Sequence, residues 1–426
     1  MNVKFRLIVM NFLQYAVWGA YLTSLGSYLV GVDLASHIGI FYAVQGIVSL
    51  FMPAVIGIVA DRWIPAQRLL GFCHLLAALF MGLAGYYAWS AGNDVQFATL
   101  FPLYTLSVAF YMPTIALSNS VAYSVLEGAG LDTVKAFPPI RVWGTVGFIC
   151  SMLFCDATGF QTTSLQFMQC AVLGLLLGFY AMTLPECPIS RSNNKKSLVE
   201  ALGLRAFALF KQKRMALFFI FSMLLGVSLQ ITNGFANPFI TSFREIPEFA
   251  STFGANHANA LISLSQVSET LCILLIPICL KRFGIKNVML MAMFAWVLRF
   301  GLFGLGNPGT GVWMFILSMI VYGVAFDFFN ISGSLFVNKE TDTAIRSSAQ
   351  GLFMIMTNGI GATIGTLGAQ AVVNKYVYSQ PTPEAMVEGW SASWLIFAGY
   401  ALVVAFAFAV VFRYKHDPQA VEHAER

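Results

Sequence analysis

Two acids, Glu269 and Asp327, stand near the middle of long apolar stretches, LISLSQVSETLCILLIPICL and MFILSMIVYGVAFDFFNISGSLF. A charged side chain at mid-bilayer depth costs at least ~2.5 kcal/mol, so by default it marks a substrate or ion pathway. Other polar and aromatic residues recur around them at helical spacing. Gln266 lies three positions before Glu269, and Gln230 and Asn233 are likewise three apart in LLGVSLQITNGF, so each pair shares one helix face. Tyr322, Phe326 and Asp327 fall at i, i+4 and i+5, which sets an aromatic surface beside a carboxyl group. Arg141, Thr145 and Phe148 fall at i, i+4 and i+7 along one stripe. Such residues are costly against lipid, so their faces are expected to line a water-filled cavity between two halves of the chain. Amides and carboxylates suit a hydroxyl-rich ligand, and flat aromatics stack on a ring. A molecule that is half sugar and half planar heterocycle fits these parts; so does a plain sugar.

Structural roles compete with each of these. Amides of Gln230, Asn233 and Gln266 also bond helix to helix. Tyr322 and Phe326 are ordinary packing residues by type, and Glu269 or Asp327 can pair with a neighbouring helix. Arg141, close to the start of its segment, can snorkel or brace a loop. Arg299, about two turns from the end of AWVLRFGLFG's helix, is expected to snorkel. His74 is a lone polar residue with no assigned role. Asp61-Arg62 is expected to form a gating or bracing turn that touches no substrate. The glycines of GIGATIGTLGA (359–369) read as close helix packing.

The elements that must position these groups are membrane helices. The 426 residues are 58% hydrophobic and only 10% charged, with mean hydropathy +0.74. Roughly 20 apolar residues cross the hydrocarbon layer, and unpaired backbone amides are not tolerated there, so the spans must be helical. Twelve segments qualify: about 8–30, 36–59, 69–91, 97–125, 139–160, 165–184, 215–242, 257–280, 287–306, 311–336, 346–373 and 390–412. The first follows a basic start but lacks a small-residue cleavage site, and it reads as a span rather than a signal peptide. Of 24 Lys and Arg, only Arg244 and Lys375 fall in odd-numbered loops, which places both termini and the even loops in the cytoplasm. The net charge of +5 is therefore topological and implies no nucleic-acid partner. Seven cysteines, odd in number and mostly within apolar segments, read as free thiols without metal spacing.

The chain divides once. CPISRSNNKKSLVEALGLRAFALFKQKR is the longest hydrophilic stretch, and its ALGLRAFALF could form an amphipathic interfacial helix. This gives an N-terminal six-helix half (1–185), a cytosolic central loop (186–214), a C-terminal six-helix half (215–413) and a cytosolic tail (414–426). Traces of a repeat support the division. PAVIGIVADRWIPAQR (53–68) answers PICLKRFGIKNV (277–288), and Ile140-Arg141 answers Ile345-Arg346. Six plus six parallel halves is the architecture of the major facilitator superfamily, and GIVADRW (57–63) resembles its signature between helices 2 and 3.

Longer strings are more specific. FLQYAVWGAYLTSLGSY (12–28), FPPIRVWGTVGF (137–148), FFIFSMLLGVSLQITN (218–233), SLSQVSET (263–270) and VYGVAFDFFNISGS (321–334) resemble the bacterial nucleoside:proton symporter family. The resemblance runs nearly end to end. It departs only at a short loop, DLAS (33–36), and at VYSQPTPEAMVE (377–388), which leaves substrate range open. It implies a nucleoside site of Arg141, Thr145, Phe148, Gln230, Asn233, Gln266, Glu269, Tyr322, Phe326 and Asp327. It also implies import across the bacterial inner membrane by a monomer that uses protons and no other cofactor. Alternating access of the two halves about this site follows. Loss of hydration penalises a charged carboxylate, so either acid can hold a proton, and Asp327 is the first candidate because it neighbours the aromatic pair and can sense ligand and proton together. Glu269 is the second, with ribose bonding its main expected role. A sugar:proton symporter of the same superfamily is the alternative, and an exporter of lipophilic cations a weaker one. No HExxH, GxSxG or P-loop pattern is present, so an enzyme is not expected.

Overall fold

Apolar runs of this length satisfy their backbones only by coiling, and every long element is a helix; among the described residues there is no strand. The computed structural model describes residues 2–188, 204–342 and 345–414, with the backbone alone at Asp61, Arg62, Val134, Leu204, Arg205 and Ser347. Two compact units result, and their boundary at Ala201 falls among residues outside the description. The first holds α1 (Val3–Gly19), α2 (Leu25–Gly31), α3 (Ile38–Arg62), α4 (Ala66–Ala91), α5 (Phe97–Gly128), α6 (Thr133–Ala157) and α7 (Leu165–Met182). The second holds α8 (Lys213–Leu229), α9 (Ile231–Ser242), α10 (Ala258–Ile273), α11 (Ile276–Leu305), α12 (Val312–Glu340), α13 (Arg346–Met354), α14 (Ala362–Val373) and α15 (Pro383–Val411).

Ten helical stretches among the described residues are long and apolar enough to cross a membrane. The other two expected crossings are helical but fall short, each for a visible reason. The first is broken into α1 and α2 by the turn at Ala20–Ser24, so it is not the continuous span expected. Tyr42 donates its hydroxyl to the carbonyl of Leu22, which repairs part of the bonding lost at that break. The eighth, α10, has 16 residues and carries Asn259, Ser263, Gln266 and Glu269, which lower its hydropathy. The seventh segment also breaks, at Gln230 between α8 and α9. The chain turns from the eighth into the ninth segment at Gly284, whose φ of 77° favours glycine.

Both units use one packing scheme. In the first, α1 packs on α6, α3 on α5, and α4 on α5 and α7. In the second, α8 packs on the π-helix Ile355–Gly361 that links α13 to α14, α10 on α12, and α11 on α12 and α15. Numbered by segment, these are the same pairs six positions on, which gives the weak sequence repeat a structural counterpart. Glycines permit the closest of these contacts. A Cβ on Gly147 would strike the carbonyl oxygen of Phe12, and one on Gly365 that of Val227.

Two expectations change. Helix α3 continues through Asp61-Arg62, so the turn begins only at Trp63; the side chains of Asp61 and Arg62 lie outside the described residues. In the central loop, Leu204–Lys211 forms a 3₁₀ helix rather than an α-helix. Its Ala206 and Leu209 are buried within the second unit, and Phe210 sits 5.5 Å from Phe219. The tail beyond Tyr414 lies outside the described residues.

Candidate functional site

The first unit presents the stripe on α6 against α1. Glycine at 144 and 147 lets the two helices approach, and the Arg141 guanidinium lies 4.0 Å from the Tyr15 ring centroid. A planar guanidinium stacks on an aromatic face where an ammonium could not match its shape. Arg141 is thus held in place rather than snorkelling to a loop. Phe148, buried, meets Trp18 edge-on at 6.2 Å, and Trp18 tilts against Tyr111 at 6.1 Å. Thr145, half-buried, completes the stripe between them.

The second unit gathers the acids. Asn233 donates to the Gln230 side-chain oxygen at 2.7 Å across the break between α8 and α9. Tyr322 and Phe326 stack at 5.5 Å and 18°, as their i, i+4 spacing allows. Asp327 is 6% exposed, and its Oδ2 is buried with no hydrogen-bond partner among the described residues. Glu269 on α10 is near enough to Asp327 and to Tyr322 for their charges to interact. Gln266 and Glu269 are half-buried. The helix breaks fall in the first and seventh segments, corresponding positions of the two units. Interrupted helices at matching places are the best local pointer to a transporter's binding groups, and candidate residues sit beside both.

A family model for the nucleoside H+ symporter matches residues 1–417. The chain belongs to that family. It is 48% identical to the xanthosine permease of Escherichia coli (strain K12) over 426 residues, 99% of each chain. It is 47% identical to the nucleoside permease NupG of the same organism, over 98% of this chain and 97% of that one. The crystal structure of nucleoside transporter NupG superposes with a TM-score of 0.88, covering 97% of this chain and all of that one, at 47% identity. A D-xylose–proton symporter, at 14% identity and TM-score 0.67, shares the fold alone. This symporter-family member is accordingly a multi-pass membrane transporter with the major facilitator fold, not an enzyme.

Sequence reasoning missed three parts of the family member's interior. Arg299 does not snorkel: it is 2% exposed, donates to Ser318 O at 2.7 Å, and lies 4.5 Å from the Tyr322 ring centroid. His74 is not idle. Its Nε2 bonds Gln14 Oε1 at 2.8 Å while Gln14 Nε2 donates to Thr114 Oγ1 at 2.8 Å. That arrangement places the ring proton on Nε2, and Nδ1 remains buried without a partner among the described residues. The third part runs from Trp18 Nε1 to Gln45 Oε1, and from Gln45 Nε2 to Tyr104 at 2.8 Å. Gln14, Gln45 and His74 stand in apolar segments, where an unpaired polar group is costly, and that cost is the signal that each has a partner. All seven cysteines are free thiols.

Proposed function

We propose that this symporter imports nucleosides across the bacterial inner membrane, each cycle driven by a proton carried on Asp327. The observation that carries this reading is the buried Asp327 oxygen without a partner, set beside Glu269 and the Tyr322–Phe326 stack. A neutral acid tolerates that environment and a charged one does not. Protonation from outside then prepares the site for a neutral ligand, and release to the cytosol resets it. Tyr322 and Phe326 supply a flat surface for the base. Gln230, Asn233, Gln266 and Glu269 supply donors and acceptors for ribose hydroxyls, with Glu269 the alternative proton carrier. From the first unit, Arg141, Thr145 and Phe148 complete recognition, Arg141 pre-set by its stack on Tyr15. The basic residues of the even loops support cytosolic termini, twelve crossings are consistent with that topology, and one chain holds every group the reading needs. The division into six-helix halves at 1–185 and 215–413 is part of this proposal, with Asp61-Arg62 as its bracing element.

The test is uptake of labelled uridine, adenosine and xanthosine into proteoliposomes with and without an inward proton gradient. Gradient-driven accumulation that a protonophore collapses is expected. Flux of free sugars with indifference to nucleosides would favour the sugar alternative and overturn the reading. Equilibration without accumulation would retain the substrate and remove the coupling.

A further inference from the structure

Arg299 is the only Arg or Lys among the described residues whose side chain is buried. No carboxylate pairs with it within 4.0 Å among them. A dry, unpaired guanidinium is expensive, so its surroundings must compensate. They do so unusually. Nη1 donates to Ser318 O at 2.7 Å and to Ser265 Oγ at 3.4 Å, while Ser318 Oγ donates back to Arg299 O at 3.0 Å. The remaining compensation is aromatic: the guanidinium carbon lies 4.5 Å from the Tyr322 centroid and 5.3 Å from that of Phe303. Tyr322 in turn stacks on Phe326 and receives Trp296 edge-on at 6.0 Å and 89°. The ring that Arg299 holds is therefore half of the pair that forms the proposed base platform.

A cation used only to tie helices together would need the serine bonds alone. Contact with a ring face does something further: the attraction is strongest with the cation over the ring, so it resists rotation of Tyr322. A binding surface held in its bound geometry loses less entropy when the ligand arrives. We propose that Arg299 is a positioning residue for nucleobase recognition, locking the Tyr322 ring and hence the Tyr322–Phe326 platform. The inference rests on the reading of that pair as the base-stacking surface. Other ionisable groups nearby act on the same ring from α10 and α12: Glu269 and Asp327 both interact with Tyr322. From α15, Tyr400 lines the same small cavity as Trp296 and gives its hydroxyl to Leu224 O.

The experiment is a double-mutant cycle read by equilibrium binding of uridine and adenosine to the full-length protein in detergent, where no gradient is involved. Arg299→Met keeps the length and removes the planar charge; it is expected to raise Kd about tenfold. Arg299→Lys keeps the charge without the plane and should raise Kd about threefold. Tyr322→Leu should raise Kd by at least as much as Arg299→Met. In the Tyr322→Leu background, Arg299→Met should add nothing, because the residue acts through that ring. An unchanged Kd in Arg299→Met overturns the proposal, as does the same tenfold factor in both backgrounds. Should Arg299→Met fail to purify as a single folded species, the cycle between Arg299→Lys and Tyr322→Leu decides the matter in the same way. If the pair is not the base-stacking surface, Tyr322→Leu by itself leaves Kd unchanged, which overturns both readings.

Discussion

Replacing Asp327 by Asn removes the one titratable proton and almost no volume. Asp327 is 6% exposed, whereas Glu269 is half-buried; the proposal that Asp327 alone carries the proton sets one coupled proton per cycle. A proton moving down a gradient of one pH unit releases about 1.4 kcal/mol, which supports a tenfold concentration ratio. With the membrane voltage clamped, the unmodified protein is expected to accumulate uridine about tenfold in proteoliposomes, and Asp327→Asn only to about unity. Two coupled protons would raise the first figure to about a hundredfold. Asp327 Oδ2 is buried and has no hydrogen-bond partner among the described residues; an amide left equally unsatisfied there would cost about 1–3 kcal/mol of stability. Counterflow exchange of labelled for unlabelled uridine needs no proton gradient and reports whether the variant still binds and cycles. Tenfold accumulation by Asp327→Asn would refute the reasoning.

Phe326→Ala removes half of a stacked pair at 5.5 Å and 18°; losing about 0.5–1.5 kcal/mol should raise the nucleoside Kd roughly two- to tenfold. Unchanged binding would show that the base stacks elsewhere. Gly147→Ala drives a methyl group into the Phe12 carbonyl and should cost about 1–3 kcal/mol, seen as a lower Tm in detergent. At Gly399, where a Cβ meets nothing within 4 Å, the same substitution should leave Tm equal or higher, because alanine favours helix by about 0.5–1 kcal/mol. Burial pushes the Cys187 thiol, just past the end of α7, above its ordinary range. The thiolate fraction at neutral pH falls accordingly. Iodoacetamide should label it slowly at pH 7 and faster only at a higher pH than an ordinary thiol needs; rapid labelling at pH 7 would contradict that burial.

Much of this protein is legible without coordinates because the membrane makes the rules strict. An apolar run must be a helix, basic loops report topology, and an acid inside a span carries a cost that marks function. Glu269, Asp327 and the Tyr322–Phe326 spacing are visible for that reason, and short-range geometry follows directly: the Tyr322–Phe326 stack and the Gln230–Asn233 bond are i, i+4 and i, i+3 contacts. The breaks are harder to see. Ala20–Ser24 interrupts the first segment without a proline, because bonds from elsewhere, such as Tyr42 to Leu22, replace the helical ones.

Arg299 shows where such reasoning ends. Depth along a span is written in the chain, but the direction a side chain faces depends on which neighbour offers a place. For an arginine two turns from a helix end, snorkelling is the default outcome. Ser318 and the Tyr322 face lie on α12, which packs along α11, and Ser265 lies on α10, which reaches α11 through its packing on α12. His74 and Gln14 meet in the same way, 60 positions apart. Local chemistry and the bilayer dictate what each segment is and which residues are too costly to be idle. The choice of partners belongs to the folded units, because a buried polar group is satisfied only by whatever packing brings within about 3 Å of it.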